Sequence, residues 1–102
     1  MAEFIQVALI EEVPDGKGTT VTVNGNDLAL FNVEGTIYAM DDKCPHAGAS
    51  LGFGKLEGRV VTCRAHGWKF NVATGKMVNV PDFSVGCYTV KVEDGKIWVA
   101  VP

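Results

Sequence analysis

Two short segments of the sequence each combine a thiol with an imidazole: Cys44-Pro45-His46 and Cys63-Arg64-Ala65-His66. Cysteine thiolates and neutral histidines bind borderline and soft metals, so together the segments supply two sulfur and two nitrogen ligands. One zinc ion could use this set, although zinc sites usually have two cysteines in one segment and two histidines in the other. Mixed segments suit a dinuclear centre, in which the cysteines converge on one metal and the histidines on the other.

The spacing Cys-x-His followed by Cys-x-x-His resembles the Rieske family, in whose [2Fe–2S] cluster two histidines replace two cysteines on one iron. The residues that match this pattern position for position are Cys44, His46, Cys63 and His66. The resemblance implies that these four residues bind one [2Fe–2S] cluster. A nucleophilic Cys63–His66 pair is a formal alternative, but it leaves Cys44-Pro45-His46 without a role. The resemblance covers essentially the whole chain and is strongest over residues 41–81.

Length, composition and charge restrict the classes of protein to which the chain can belong. A chain of 102 residues is long enough for one domain with a modest core. Hydrophobic residues make up 47% of the sequence, which is typical of a globular protein and not of a disordered one. The formal net charge is −3 and no basic cluster is present, which argues against a nucleic-acid partner.

The cysteines and the first residues indicate the compartment. The sequence has three cysteines, so if the two loop cysteines bind metal, Cys87 is left without an intramolecular disulfide partner. This fits a reducing cytosol. Residues 1–6 include no basic residue, and Glu3, Glu11 and Glu12 interrupt the apolar run, so we expect neither a signal peptide nor a membrane anchor. We predict a soluble cytoplasmic protein that does not bind membranes, with Cys87 packed in the core.

Short runs rich in β-branched and aromatic residues predict strands. They cover residues 4–9, 19–23, 28–33, 36–40, 59–62, 68–72, 88–92 and 96–101. Asn24-Gly25, Glu34-Gly35 and Asp94-Gly95 predict tight turns between neighbouring strands, and residues 10–13 predict one helical turn. The runs up to residue 40 look like one antiparallel meander.

Glycines at 48, 52, 54 and 58 predict that residues 41–58 form a long irregular loop without an element, and such loops are usually functional. No helix of ordinary length is indicated. We therefore predict an all-β fold: a small antiparallel β-sandwich base with an inserted two-loop cluster-binding subdomain, as the resemblance also implies. The prediction treats residues 1–102 as a single Rieske domain, with the subdomain at about 41–81.

Some residues near the two loops have two interpretations. Gly48, Gly52 and Gly67 could let backbone amides approach the cluster sulfides, or they could serve only as turn residues. Pro81 matches the place of a proline-containing loop that covers the cluster in the family, with a simple turn as the alternative.

Trp68 and Phe70 are expected to pack in the core or beneath the cluster. At these two positions, high-potential members of the family carry a serine and a tyrosine, whose hydroxyls donate hydrogen bonds toward cluster sulfur. Those members also have a disulfide between the two ligand loops, where this chain has Ala49 and Ala65. The resemblance therefore implies a reduction potential near the low end of the Rieske range.

The resemblance also implies the role of the chain. A cluster whose four ligands all come from the protein has no open position for substrate, so it exchanges electrons and the chain is not expected to be an enzyme. Rieske ferredoxins carry electrons from a flavin-containing NAD(P)H-dependent ferredoxin reductase to a terminal oxygenase, usually one that hydroxylates an aromatic ring. His46 and His66 would form the electron port, and Ala47, Gly48 and Ala49 would let a partner approach closely.

Two other functions remain open from the sequence. The small subunit of an assimilatory nitrite reductase is also a short Rieske-like chain, and it would co-purify with a large flavin- and haem-containing chain. A structural zinc module would be colourless. An absorption spectrum separates the zinc module from an iron–sulfur protein.

Overall fold

The computed structural model describes residues 3–43, 50–64, 67–78, 80 and 82–101. The strands are β1 (Glu3–Leu9), β2 (Gly18–Val23), β3 (Asn26–Val33), β4 (Thr36–Asp41), β5 (Lys55–Glu57), β6 (Val60–Thr62), β7 (Lys69–Asn71), β8 (Cys87–Tyr88), β9 (Val90–Glu93) and β10 (Lys96–Val101). Single 3-10 turns span Ile10–Glu12 and Leu51–Phe53. Within the described ranges, no helix has the length and apolar character needed to cross a membrane.

Two antiparallel sheets form the base of the molecule, which confirms the predicted all-β sandwich. One has the strand order β2-β3-β4-β8 and the other the order β1-β10-β9. Both residues of each predicted turn, Asn24-Gly25, Glu34-Gly35 and Asp94-Gly95, adopt positive φ. Two-residue hairpin turns of this type require that conformation. Between the sheets lies a core of buried aliphatic side chains: Ala8, Val13, Val23, Leu28, Leu30, Ile37, Ala39, Ile97 and Val99.

The prediction that the first strand continues the meander is wrong. β1 pairs with β10, from Glu3 opposite Val101 to Leu9 opposite Lys96. The 3-10 turn Ile10–Glu12 redirects the chain between β1 and β2, and the Ile10 amide donates to the Gly95 carbonyl at 2.8 Å. β1 therefore belongs to the second sheet, and only β2, β3 and β4 form the meander.

The predicted strand over residues 88–92 is divided between the two sheets. β8 pairs with β4, whereas β9 pairs with β10. The chain crosses from one sheet to the other at Thr89, whose carbonyl accepts the Ala100 amide at 2.9 Å. A continuous β-rich sequence therefore serves both layers of the sandwich.

A third antiparallel sheet, with the order β5-β6-β7, lies within residues 41–81. The prediction that residues 41–58 are wholly irregular is wrong in part, since this range contains the Leu51–Phe53 turn and β5. β5 has only three residues, too few to show an alternation, and Gly58 at φ +59° turns it directly into β6. A second core packs this sheet on the base: Ala29, Phe31, Met40, Leu51, Val61, Cys63, Phe70, Val72, Met77 and Val85.

Candidate metal centre

An antiparallel residue pair flanks each predicted ligand segment in the sequence. Lys43 pairs with Ser50 and encloses residues 44–49. Thr62 pairs with Lys69, at the end of the β6–β7 ladder, and encloses residues 63–68. The first residue inside each closing pair is a cysteine. In the sequence, each predicted ligand segment therefore begins directly after a paired residue.

Of the four predicted ligands, only Cys63 lies among the described residues; Cys44, His46 and His66 lie outside them. Cys63 is 1% exposed and belongs to the second core. Its thiol is free of any disulfide. A reduced, buried cysteine at the start of a closed loop is a suitable position for a metal-binding thiolate, because the metal compensates for the burial of the charge.

The backbone of the second loop fixes Cys63. Its amide donates to the Trp68 carbonyl at 2.7 Å, and its carbonyl accepts the Gly67 amide at 2.9 Å. Gly67 adopts φ +72°, which a residue with a side chain would reach only with strain. These two hydrogen bonds close the loop on itself and set the direction of the Cys63 side chain.

The structure supports the turn interpretation for the two glycines that it describes. The Gly67 amide donates to the Cys63 carbonyl, and the Gly52 amide donates to the Asp42 carboxylate at 2.8 Å, so neither is directed at a sulfide. A Cβ atom on Gly52 would collide with the Thr20 hydroxyl oxygen. The close approach that Gly52 allows is therefore to strand β2. Gly48 lies outside the described residues.

Trp68 and Phe70 pack as predicted. Phe70 is fully buried in the second core, whereas Trp68 is half-buried and packs against that core. The Trp68 ring lies 6.3 Å from the ring of Phe83, centroid to centroid. The Val78 amide donates to the Lys69 carbonyl, which holds the following segment beside the second loop. Pro81 lies outside the described residues, so its covering role stays a prediction.

The prediction that Cys87 is a core residue is wrong, because its side chain is exposed. β8 is a two-residue edge strand, and the Cys87 sulfur lies beside Gly75, where a Cβ atom would approach it to 2.7 Å. Partial burial, and then the charge of Asp41, raise the pKa of the Cys87 thiol. A raised pKa disfavours the thiolate form of this exposed edge-strand cysteine.

Two adjacent aspartates, which the sequence analysis did not single out, precede the first ligand loop. Asp41 ends β4, and its carboxylate accepts the Gly86 amide at 2.9 Å and the Tyr88 hydroxyl. Asp42 bonds in the other direction, toward Thr20 on β2. Neighbouring residues of an extended chain point to opposite sides, so the pair reaches both flanks of the strand end. The Asp-Asp sequence before a cysteine is the signal that could have indicated them.

The Tyr88–Asp41 hydrogen bond predicts a stability change at alkaline pH. The hydrogen bond to Asp41, then burial, then the charges of Asp41 and Cys87 raise the pKa of Tyr88 from 10.0 to about 12. The neutral phenol is thus favoured in the folded state. Its contribution to the free energy of unfolding is complete below pH 10 and is lost as the pH rises toward 12. Tyr88→Phe should remove this part of the pH dependence and lower the unfolding free energy at pH 8 by about 1 kcal/mol.

Denaturant unfolding of the parent and of Tyr88→Phe at pH 8, 10 and 11.5 tests this expectation. The quantity compared is the difference between their free energies of unfolding, which should shrink as the pH rises. Tyr38→Phe is the matched control, because Tyr38 lies on β4 and its removal leaves the Tyr88–Asp41 bond in place. A constant difference between parent and Tyr88→Phe across this range would contradict the role of the hydrogen bond.

Comparison with known proteins identifies the class of protein. Residues 3–96 match the family model of the Rieske [2Fe-2S] domain. Over 95 residues the chain is 39% identical to the ferredoxin component of the naphthalene 1,2-dioxygenase/salicylate 5-hydroxylase systems of Ralstonia sp, covering 92% of this chain and 91% of the relative. The chain belongs to the Rieske [2Fe–2S] family, whose cofactor is a [2Fe–2S] cluster.

Solved structures agree with this assignment. The ferredoxin in a complex of reduced oxygenase and oxidized ferredoxin of carbazole 1,9a-dioxygenase superposes with a TM-score of 0.86 at 34% identity, covering 95% of this chain and 92% of that chain. A putative NADH-dependent nitrite reductase small subunit from Mycobacterium tuberculosis superposes with a TM-score of 0.90 at 24% identity, covering 100% and 97%. At that identity the second likeness shows a common fold alone.

Proposed function

We propose that this chain is the ferredoxin component of a multicomponent oxygenase. It carries one electron at a time from a flavin-containing NAD(P)H-dependent reductase to a terminal oxygenase that hydroxylates aromatic substrates. The observation that carries the proposal is the 39% identity, over nearly the full length of both chains, to a ferredoxin component of an aromatic dioxygenase system. The carbazole complex supports it, since there a related ferredoxin is bound to its oxygenase.

We assign the cluster to four ligands: Cys44, His46, Cys63 and His66. The spacing of these residues and the buried free thiol of Cys63, at the start of a closed loop, support the assignment. When bound, a [2Fe–2S] cluster with two histidine ligands supplies one-electron redox chemistry. Of the four proposed ligands, Cys63 belongs to the second core, which keeps water away from its thiol.

We further propose that residues 1–102 act as a single Rieske domain, with a cluster-binding subdomain at about 41–81. The third sheet supports this division, because β5, β6 and β7 all lie inside that range. We place the protein in the cytoplasm. The free thiols of Cys63 and Cys87 among the described cysteines support a reducing compartment.

Reconstituted electron transfer tests the function. The purified chain, loaded with cluster, is mixed with NADH and the reductase and terminal oxygenase of a naphthalene 1,2-dioxygenase system in place of their own ferredoxin. We expect product formation that depends on the concentration of the chain, and none with Cys63→Ser. A cluster-loaded chain that stays oxidised beside the reductase would contradict the proposal. Stoichiometric co-purification with a large flavin- and haem-containing chain would indicate the nitrite reductase subunit instead.

Replacing Ala47 with Glu should slow electron transfer to the oxygenase by roughly tenfold and leave the absorption spectrum unchanged. Ala47 directly follows the ligand His46, and a bulky charge there would keep a partner away from the electron port. Stopped-flow oxidation of the reduced chain by the oxygenase measures the rate. Ala100→Glu is the control, since Ala100 lies on β10 in the base. Equal rates for the two variants would place docking elsewhere.

A further inference from the structure

Asp42 connects three segments of the chain through one carboxylate oxygen. It is 4% exposed, and its Oδ1 accepts hydrogen bonds from the hydroxyls of Thr20 at 2.9 Å and Ser50 at 2.8 Å and from the Gly52 amide at 2.8 Å. The two hydroxyl oxygens lie 2.9 Å from each other. Hydrogen bonds to an ionised carboxylate are among the stronger ones in proteins, and here they share a buried site.

The Asp42 acceptor and two of its three donors flank residues 44–49 in the sequence. Asp42 lies just before the loop, whereas Ser50 and Gly52 follow it. The Leu51 amide also donates to the Asp42 carbonyl, at 2.6 Å, so backbone and side chain both join the two ends. Thr20 belongs to β2, in the middle of its ladder with β3 opposite Ala29, and supplies a fixed point outside the loop.

The same hydrogen bonds connect the loop to the core that contains Cys63. Leu51 is fully buried in the second core together with Cys63. Gly52 lies against β2 so closely that a Cβ atom would be 2.7 Å from the Thr19 carbonyl oxygen. The far end of the first loop is thus held between the base and the core under the second loop.

From this geometry we propose that Asp42 is a positioning residue for the cluster. It fixes the two ends of residues 44–49 relative to β2 and to the core that carries Cys63, and thereby sets the separation of the two ligand loops. The proposal rests on the assignment of the cluster to Cys44, His46, Cys63 and His66. Asp42 contacts no redox partner in this role and acts only through the loop ends.

The test compares two Thr→Val substitutions on one strand. Thr20→Val removes the donor to Asp42, whereas Thr22→Val breaks a different Thr–Asp hydrogen bond, the 2.7 Å bond to Asp27, in which the Asp42 side chain, Ser50 and Gly52 take no part. Neither changes the charge of the protein. We expect Thr20→Val to accelerate release of iron to a chelator by about tenfold at a temperature where all variants are folded, with Thr22→Val unchanged from the parent.

Asp42→Asn supplies the second arm. It keeps the shape of the side chain but weakens all three hydrogen bonds, so it should accelerate iron release at least as much as Thr20→Val. Since both substitutions act on one network, the double variant should release iron no faster than Asp42→Asn alone. The electron paramagnetic resonance spectrum of the reduced cluster should also shift in Thr20→Val and stay unchanged in Thr22→Val.

Each outcome supports or contradicts the positioning role. Thr20→Val could unfold more readily and yet match Thr22→Val in its rate of iron release and in its resonance spectrum. In that case Asp42 only stabilises the fold, and the inference fails while the proposed function stands. Additive acceleration in the double variant would likewise show that Thr20 and Asp42 act independently. A parent protein without iron and labile sulfide would overturn both the inference and the proposed function.

Discussion

Replacing Cys63 with Ser is expected to abolish assembly of the [2Fe–2S] cluster. Cys63 is buried at the start of its loop, and its amide and carbonyl are both hydrogen-bonded. A side chain from another position could therefore replace it as a ligand only if the loop rearranged. Serine retains the size of the side chain but is a poor ligand for iron, because its hydroxyl does not ionise readily. Iron should fall from about two atoms per chain to nearly none. Iron and acid-labile sulfide assays on purified protein measure this.

Cys87→Ser is the matched control for this experiment. Cys87 is exposed on the edge strand β8 and does not belong to the second core that contains Cys63, so it should be dispensable for the cluster. The variant should contain as much iron and sulfide as the parent. Full iron content in Cys63→Ser, or its loss in Cys87→Ser, would mean that the ligand assignment is wrong.

The reduction potential of the cluster is expected to lie near −150 mV, the low end of the Rieske range. The reduced cluster carries one more negative charge, so hydroxyl donors toward its sulfur atoms stabilise it and raise the potential. The two positions that carry such hydroxyls in high-potential relatives of this family are Trp68 and Phe70, and neither side chain has a hydroxyl. A potential of about −150 mV suits a carrier between a reduced flavin and an oxygen-activating acceptor.

Phe70→Tyr tests this explanation of the potential. Phe70 is fully buried, so a new hydroxyl must find an acceptor or destabilise the protein. If the hydroxyl reaches cluster sulfur, the reduction potential should rise by roughly tens of millivolts, which spectroelectrochemical titration measures. Phe31→Tyr is the control, because Phe31 is equally buried in the same second core but lies on β3, not on the strand that follows the second ligand loop. A parent potential near roughly +300 mV would contradict the expectation and indicate a quinol-type partner.

Local chemistry made most of the base predictable from the sequence. Asn24-Gly25 and Asp94-Gly95 determine their hairpins because both residues of each pair adopt positive φ. The partner of β1 was not predictable in this way. Its pairing with β10 joins the two ends of the chain, and nothing in residues 3–9 encodes the choice between β10 and β2. β5 was missed for a different reason, since three residues cannot display a period of two.

The candidate site shows a similar division. The identities and spacing of four residues predicted the type of cluster. Of these four, the structure describes Cys63, which is buried directly after the Thr62–Lys69 pair. Asp42 was not predicted, because its importance comes from Thr20 and Ser50, which are distant from each other in sequence and meet only in the folded chain. The exposure of Cys87 also depends on tertiary structure, namely on the short edge strand that carries it.

The central claim is that this chain binds a [2Fe–2S] cluster through two cysteines and two histidines. The most direct test is the metal and sulfide content of the purified protein together with its absorption spectrum. We predict a brown protein with about two irons and two acid-labile sulfides per chain, and no stoichiometric zinc. A folded, colourless protein with one zinc per chain and no labile sulfide would contradict the claim.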